Sequence, residues 1–180
     1  MVNQNKAIFL DRDGVLNDVV IKANKTTRPP YIKNELRIKY ENILNLKQYE
    51  KKYFLFIVTN QPDIKKGLQT EEFNNYINHR IKKLLNITEV KTCLCFEYES
   101  NCNCYKPRTE MIFKLKKKWK LNLRKSFFIG DRWRDIICGN NSKCKTIFIR
   151  KKYNINDLTI AKPNYIVSSL NNIHNIIPIH

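Results

Sequence analysis

Long apolar runs are absent from this chain. No stretch approaches the ~20 consecutive apolar residues that a membrane helix requires, so neither a span nor a membrane partner is expected. The opening MVNQNKAIFL holds no apolar core followed by a small-residue cleavage site, and the expected location is the cytoplasm, where thiols stay reduced. Internal repeats and breaks in composition are also missing. With 180 residues and 42% hydrophobic content, the chain is expected to fold as one domain, residues 1–180, rather than remain disordered. Acidic residues are few, 16 against 34 Lys and Arg, giving a formal charge of +18. Clustered basic residues would suit nucleic acid, but here lysine is scattered singly and in pairs, dense only over 114–120, as a lysine-rich codon bias would scatter it. Aromatics do not interleave with a basic stripe, as a strand-binding groove would require. Nucleic acid is therefore not the expected partner, and the positive surface favours a small phosphorylated substrate.

What is present alternates. KAIFL (6–10), YFLFIVT (53–59), residues 90–95, 126–129, 146–149 and 165–167 are short, apolar and β-rich, and read as strands. Between them, residues 41–51, 70–86, 108–121, 133–139 and 170–177 carry apolar residues at helical spacing. Thr70 is placed to cap the second of these, and Met111, Ile112, Leu115 and Trp119 share one face of the third. Residues 11–31 and 61–69 read as loops. Strand–helix alternation predicts an α/β fold: a Rossmann-like three-layer sandwich on a mainly parallel sheet, with no large cap domain.

In such sheets ligands gather at the carboxyl ends of the strands. Asp11 and Asp13 follow the first strand, Thr59 and Asn60 the second, Lys106 the third after a loop, and Asp131 the fourth, with Asp135 a turn later. A lone Asp-x-Asp-Gly is usually a turn or a cap. Four polar clusters after four successive strands make a site. Three converging carboxylates repel unless a cation sits among them, and oxygen donors beside a phosphate favour Mg2+. A carboxylate is also a competent nucleophile toward phosphorus.

Six cysteines are present, and Cys93, Cys95, Cys102 and Cys104 fall within twelve residues as two C-x-C pairs. In a reducing compartment this clustering points to metal rather than disulfides, and four thiolates suit one structural zinc with a closed shell. Cys138 and Cys144 read as buried thiols. His79, His174 and His180 show no partner pattern and read as surface residues, while Trp119 and Trp133 read as core.

FLDRDGVLN (9–17), VTNQ (58–61), Lys106–Pro107 and GDRWRD (130–135) resemble the ordered motifs of the haloacid dehalogenase superfamily of phosphatases. The resemblance runs from about Ala7 to Ile149. Within the superfamily it is nearest to the small phosphatases of heptose bisphosphate and histidinol phosphate, which carry a zinc loop between the second and third motifs, here residues 93–104. The phrases RPPY, VTNQPD, GDRWRDI and TIFIR resemble the heptose 1,7-bisphosphate 7-phosphatase branch.

The resemblance implies that Asp11 is the nucleophile and Asp13 the acid and base. It implies that Thr59, Asn60, Gln61, Lys106 and Arg132, with the stretch 19–22, contact substrate. Asp11, Asp13 (through its carbonyl) and Asp131 would hold Mg2+, and the four cysteines zinc. Asp135 would support Lys106 or the metal's water shell, or else face solvent. The expected enzyme is a monomer acting on a small phosphorylated sugar in nucleotide-heptose synthesis. A histidinol-phosphate phosphatase, a nucleic-acid 3′-phosphatase and a non-catalytic zinc protein are the alternatives. Two departures from the family pattern stand out: Cys95 replaces its His, and Tyr105 replaces its Arg. Glu110 lies where the family often has Gly, and nothing in the sequence explains that change.

Overall fold

A computed structural model describes residues 5–179. In chain order these are β1 (Ala7–Leu10), β2 (Val20–Ile21), β3 (Thr27–Arg28), α1 (Tyr40–Lys47), β4 (Phe54–Asn60), α2 (Pro62–Lys65), α3 (Glu71–Lys82) and β5 (Ile87–Cys93). There follow α4 (Glu110–Trp119), β6 (Phe127–Gly130), α5 (Trp133–Asn141), β7 (Lys145–Ile149), α6 (Asp157–Ile160) and β8 (Tyr165–Val167). Six strands form one sheet in the order β5-β4-β1-β6-β7-β8, and every pairing within it is parallel. The chain leaves β1 toward β4 and β5, then returns across the sheet to β6 and continues to β7 and β8. The order reverses between β1 and β6, and a crevice opens there at the carboxyl ends. Asp11 and Asp131 follow those two strands.

Period-two alternation builds two cores. Ile8, Leu10, Leu55, Ile57, Ile129, Ile147 and Ile149 pack on one face with Ile43 and Leu46 of α1 and Ile77 and Ile81 of α3. Ala7, Phe9, Phe56, Val58 and Phe128 pack on the other with Met111, Ile112 and Leu115 of α4. The result is the expected three-layer sandwich, and among the described residues no large cap domain is inserted. The Thr70 hydroxyl accepts from the Phe73 N–H and caps α3, whose first turn is acidic and last turn basic, as the helix dipole favours. Trp119 tilts against Phe54 and Phe56 and donates its ring N–H to Glu89. Trp133 packs half-buried beside Ile136 and Phe148.

The structure differs from the sequence expectation in small ways. The loop over 11–31 contains the β2–β3 hairpin, and the 61–69 loop contains α2. The final helix is a 3-10 turn, Leu170–Asn175. α6 carries too few apolar residues for a periodic signal. Cys138 and Cys144 are buried, and burial pushes the Cys138 thiol up to about 12. His79 and His174 are exposed, and His180 lies outside the described residues.

Candidate active site

Asp11 sits directly after β1, its backbone N–H bonded to the Ile129 carbonyl of β6 at 2.9 Å. Lys106 reaches it from the end of the cysteine loop. All three ammonium donors are used: Asp11 Oδ1 at 2.6 Å, Asp135 Oδ1 at 2.6 Å and the Val58 carbonyl at 2.7 Å. Burial and the two carboxylates decide the titration of this group. Burial alone would lower the Lys106 pKa, but Asp11 and Asp135 raise it above the ordinary lysine value. For Asp11, burial is the larger influence and outweighs Lys106, pushing the carboxyl up to about 7.

Asn60 fixes Lys106 from behind. Its amide oxygen accepts from the Lys106 N–H at 3.0 Å and its NH2 donates to the Lys106 carbonyl at 3.1 Å. Asp135 is a doubly employed side chain. One oxygen pairs with Lys106 and the other accepts from the Arg132 N–H at 3.0 Å, capping α5. The expectation that it supports Lys106 holds.

Asp13 is held by three donors: Arg12 at 3.0 Å, Asn17 at 2.8 Å and Gln61 at 2.6 Å. Arg12 is fully buried and also donates to Asn74 and Asn78 of α3. Gln61, expected at the substrate, is buried and does not line the cleft; its NH2 bridges Asp13 and the Thr59 hydroxyl. Thr59, Asn60, Lys106 and Arg132 do line it, with Asp11, Asp13 and Asp131, around about 200 Å3 of open space. Val19, Thr27 and Arg28 of the hairpin form one wall. Arg132 is tethered there, with Nε on Asp157 at 2.8 Å and Nη1 on the Thr27 hydroxyl at 3.0 Å.

Asp131 is buried behind Gly14. A Cβ on that glycine, whose φ is +97°, would land on the Asp131 carboxylate, so the turn after Asp13 tolerates only glycine on both counts. Asp131 Oδ2 accepts from the Tyr153 hydroxyl at 2.6 Å, and Asn154 ties the Asp131 carbonyl at 2.6 Å. Asp131 Oδ1 is buried without a hydrogen-bond partner.

The cysteine loop leads into Tyr105 and Lys106, which line the cleft. Cys93 and Cys104 have their Sγ atoms paired, and Cys95 and Cys102 are free thiols. All four Sγ atoms nevertheless lie within 4.8 Å of one another, a convergence that one S–S link does not ask of the other two. Burial opposes ionisation of Cys102. Hydrogen bonds from Cys95 and from the Tyr105 and Cys104 N–H groups outweigh it and hold that thiol below its usual range.

A family model of HAD-hydrolase-like proteins matches residues 103–173. D-glycero-beta-D-manno-heptose-1,7-bisphosphate 7-phosphatase of Helicobacter pylori is 32% identical over 152 residues, covering 80% of this chain and 83% of its own. The chain belongs to the haloacid-dehalogenase-like phosphatases. The bifunctional histidine biosynthesis protein HisB of Buchnera aphidicola is 32% identical over 161 residues, 80% of this chain but 40% of that protein. The crystal structure of D,D-heptose 1,7-bisphosphate phosphatase from B. bronchiseptica, complexed with magnesium and phosphate, shares the fold at a TM-score of 0.78. It is 17% identical and covers 95% of this chain and 97% of that one.

A divalent ion fits this phosphatase's acidic site. Oxygens of Asp11, Asp131 and Asp135 lie within 4.8 Å of one another, and the buried Asp131 Oδ1 lacks a partner. Burial, then repulsion from Asp11 and Asp135, raises the Asp131 pKa well above the carboxylate range, the signature of an anion without its counter-charge.

The sequence reading does not find Arg12 and Asn17, which hold Asp13, nor Tyr153 and Asn154, which hold Asp131. The last two lie past the recognised motifs, in a segment with no pattern of its own. Tyr153→Phe is expected to weaken Mg2+ binding about tenfold, because the hydroxyl orients the Asp131 carboxylate. Titration calorimetry with Mg2+ reads this directly; unchanged affinity would leave Tyr153 a packing residue only.

Proposed function

We propose that this chain removes the 7-phosphate from heptose 1,7-bisphosphate in nucleotide-heptose synthesis. We read residues 1–180 as one domain acting as a monomer in the cytoplasm. The observation that carries the phosphatase chemistry is the Lys106 ammonium clamped between Asp11 and Asp135, beside the unpartnered Asp131 oxygen. The substrate rests on the named Helicobacter pylori and B. bronchiseptica phosphatases.

In this reading Asp11, Asp131 and the Asp13 carbonyl would hold Mg2+, which would supply positive charge beside the phosphoryl group. The Asp11 carboxylate attacks phosphorus, the bond from phosphorus to the sugar oxygen breaks, and Asp13 gives its proton to the departing alkoxide. Asp13 then takes a proton from water as that water attacks the aspartyl phosphate, releasing inorganic phosphate and restoring Asp11. Lys106 neutralises the phosphoryl oxygens throughout. Arg12, Asn17 and Gln61 hold Asp13 in place. Thr59 hydrogen-bonds the phosphate, and Asn60 acts through the Lys106 backbone.

A side-by-side assay tests the reading. Phosphate release is measured from both anomers of heptose 1,7-bisphosphate, from histidinol phosphate and from a 3′-phosphorylated oligonucleotide, with Mg2+ and then with chelator. Turnover of the bisphosphate, lost on chelation, is expected. Preference for histidinol phosphate would move the enzyme to histidine synthesis.

We also assign zinc to Cys93, Cys95, Cys102 and Cys104, where it fixes the loop against Tyr105 and Lys106. Protein purified under reducing conditions is expected to contain one zinc per chain, and its removal to lower Tm by about 4–8 °C, equivalent to about 2 kcal/mol. Zinc-free protein whose mass shows a Cys93–Cys104 disulfide would refute this.

A further inference from the structure

Three guanidinium groups face the cleft: Arg28, Arg132 and Arg134. Two are committed to the fold. Arg28 is paired with both oxygens of Glu35, donates to the Pro29 carbonyl and stacks on Tyr31 with its guanidinium 4.1 Å from the ring centre. Arg132 is tethered through Nε to Asp157 and through Nη1 to the Thr27 hydroxyl. Arg134, on the first turn of α5, differs. Its Nε is buried without a partner, and its one ion pair is with Glu97, a rim residue whose side chain is 49% exposed.

Two aromatic rings flank Arg134. Its guanidinium lies 4.4 Å from the centre of Trp133 and 5.9 Å from that of Tyr105. An arginine flanked by two aromatic rings, with an unmet N–H and an exposed counterion, is preorganised for a planar or tetrahedral oxyanion. Exposed ion pairs are readily exchanged, so a phosphate displaces Glu97 at little cost.

We propose that Arg134 binds the second, non-reacting phosphate of a sugar bisphosphate, which makes it the residue that separates bisphosphates from monophosphates. This rests on the phosphatase reading given above. Lys106 takes the reacting phosphate at the floor of the cleft, and Arg134 takes the distal one at the rim. The contact with Tyr105 and the pair with Glu97 also link Arg134 to the cysteine loop, so a disordered loop frees the guanidinium and weakens the same preference.

The test compares heptose 1,7-bisphosphate with heptose 7-phosphate, which differ only in the distal phosphate. In Arg134→Met the ratio of kcat/KM for bisphosphate over monophosphate is expected to fall about 10- to 100-fold, chiefly through KM, with Arg134→Lys in between. Thermal melts of both variants report folding separately. A wild-type enzyme that hydrolyses the bisphosphate, with that ratio unmoved in folded Arg134→Met, overturns the role of Arg134 alone. A wild-type enzyme that ignores the bisphosphate overturns the substrate reading and the inference together.

Discussion

Asp11→Asn is expected to abolish phosphate release, with kcat down by at least about 10^4-fold, while the metal-free protein becomes no less stable and melts about 2–4 °C higher. The loss of rate follows from removing the nucleophile. The stability follows from burial. In the folded chain desolvation raises the Asp11 pKa from 3.8 to about 7, despite Lys106. An acid whose pKa rises on folding loses stability as pH climbs from its unfolded to its folded value. Native protein in chelator is therefore expected to lose stability between pH 4 and 7, and Asp11→Asn to lose less over that window. Melts in EDTA across that range, beside a phosphate-release assay, check both halves. A variant that melts lower than the native protein at pH 7 would mean that the Lys106 pairing outweighs desolvation.

Lys106 gives the second large effect. It is the cation between two buried carboxylates, and all its donors are occupied. Lys106→Met strands Asp11 and Asp135 in a buried site without that charge, at a cost of about 3–5 kcal/mol, and lowers Tm by about 10 °C. Activity falls at least about 100-fold, because the phosphoryl oxygens lose their ammonium. Adding Asp135→Asn to Lys106→Met removes one stranded charge. The double variant is expected to recover a large part of the lost stability and none of the activity. If the two substitutions simply add in denaturant melts, the residues are not coupled and the clamp has no energetic meaning.

Much of this molecule is legible in its sequence. Apolar runs at 6–10 and 53–59 become β1 and β4 because a parallel strand covered on both faces is apolar throughout. Asp11, Asp131 and Lys106 were readable because each follows such a strand at the end where ligands gather. Gln61 was read as a substrate contact from its place in a motif, yet it lies buried and spans Asp13 and Thr59. Arg132 lines the cleft, with Nε held by Asp157 and Nη1 by Thr27. Motif position specifies where the chain passes, whereas the neighbour that claims a side chain's hydrogen bonds comes from elsewhere in the sequence. Tyr153 was invisible for the same reason, since its partner Asp131 lies 22 residues away.

The sequence by itself determined the class of fold, the carboxylates that follow its strands and the clustering of four cysteines, because strand periodicity and residue spacing act over short distances along the chain. Only the tertiary structure decided which donors each carboxylate keeps, that Asp131 retains a bare oxygen, and that Arg134 keeps a buried Nε without a partner. Those outcomes depend on long-range packing of α5, the hairpin and the cysteine loop around a single crevice, and no local pattern encodes the distance between them.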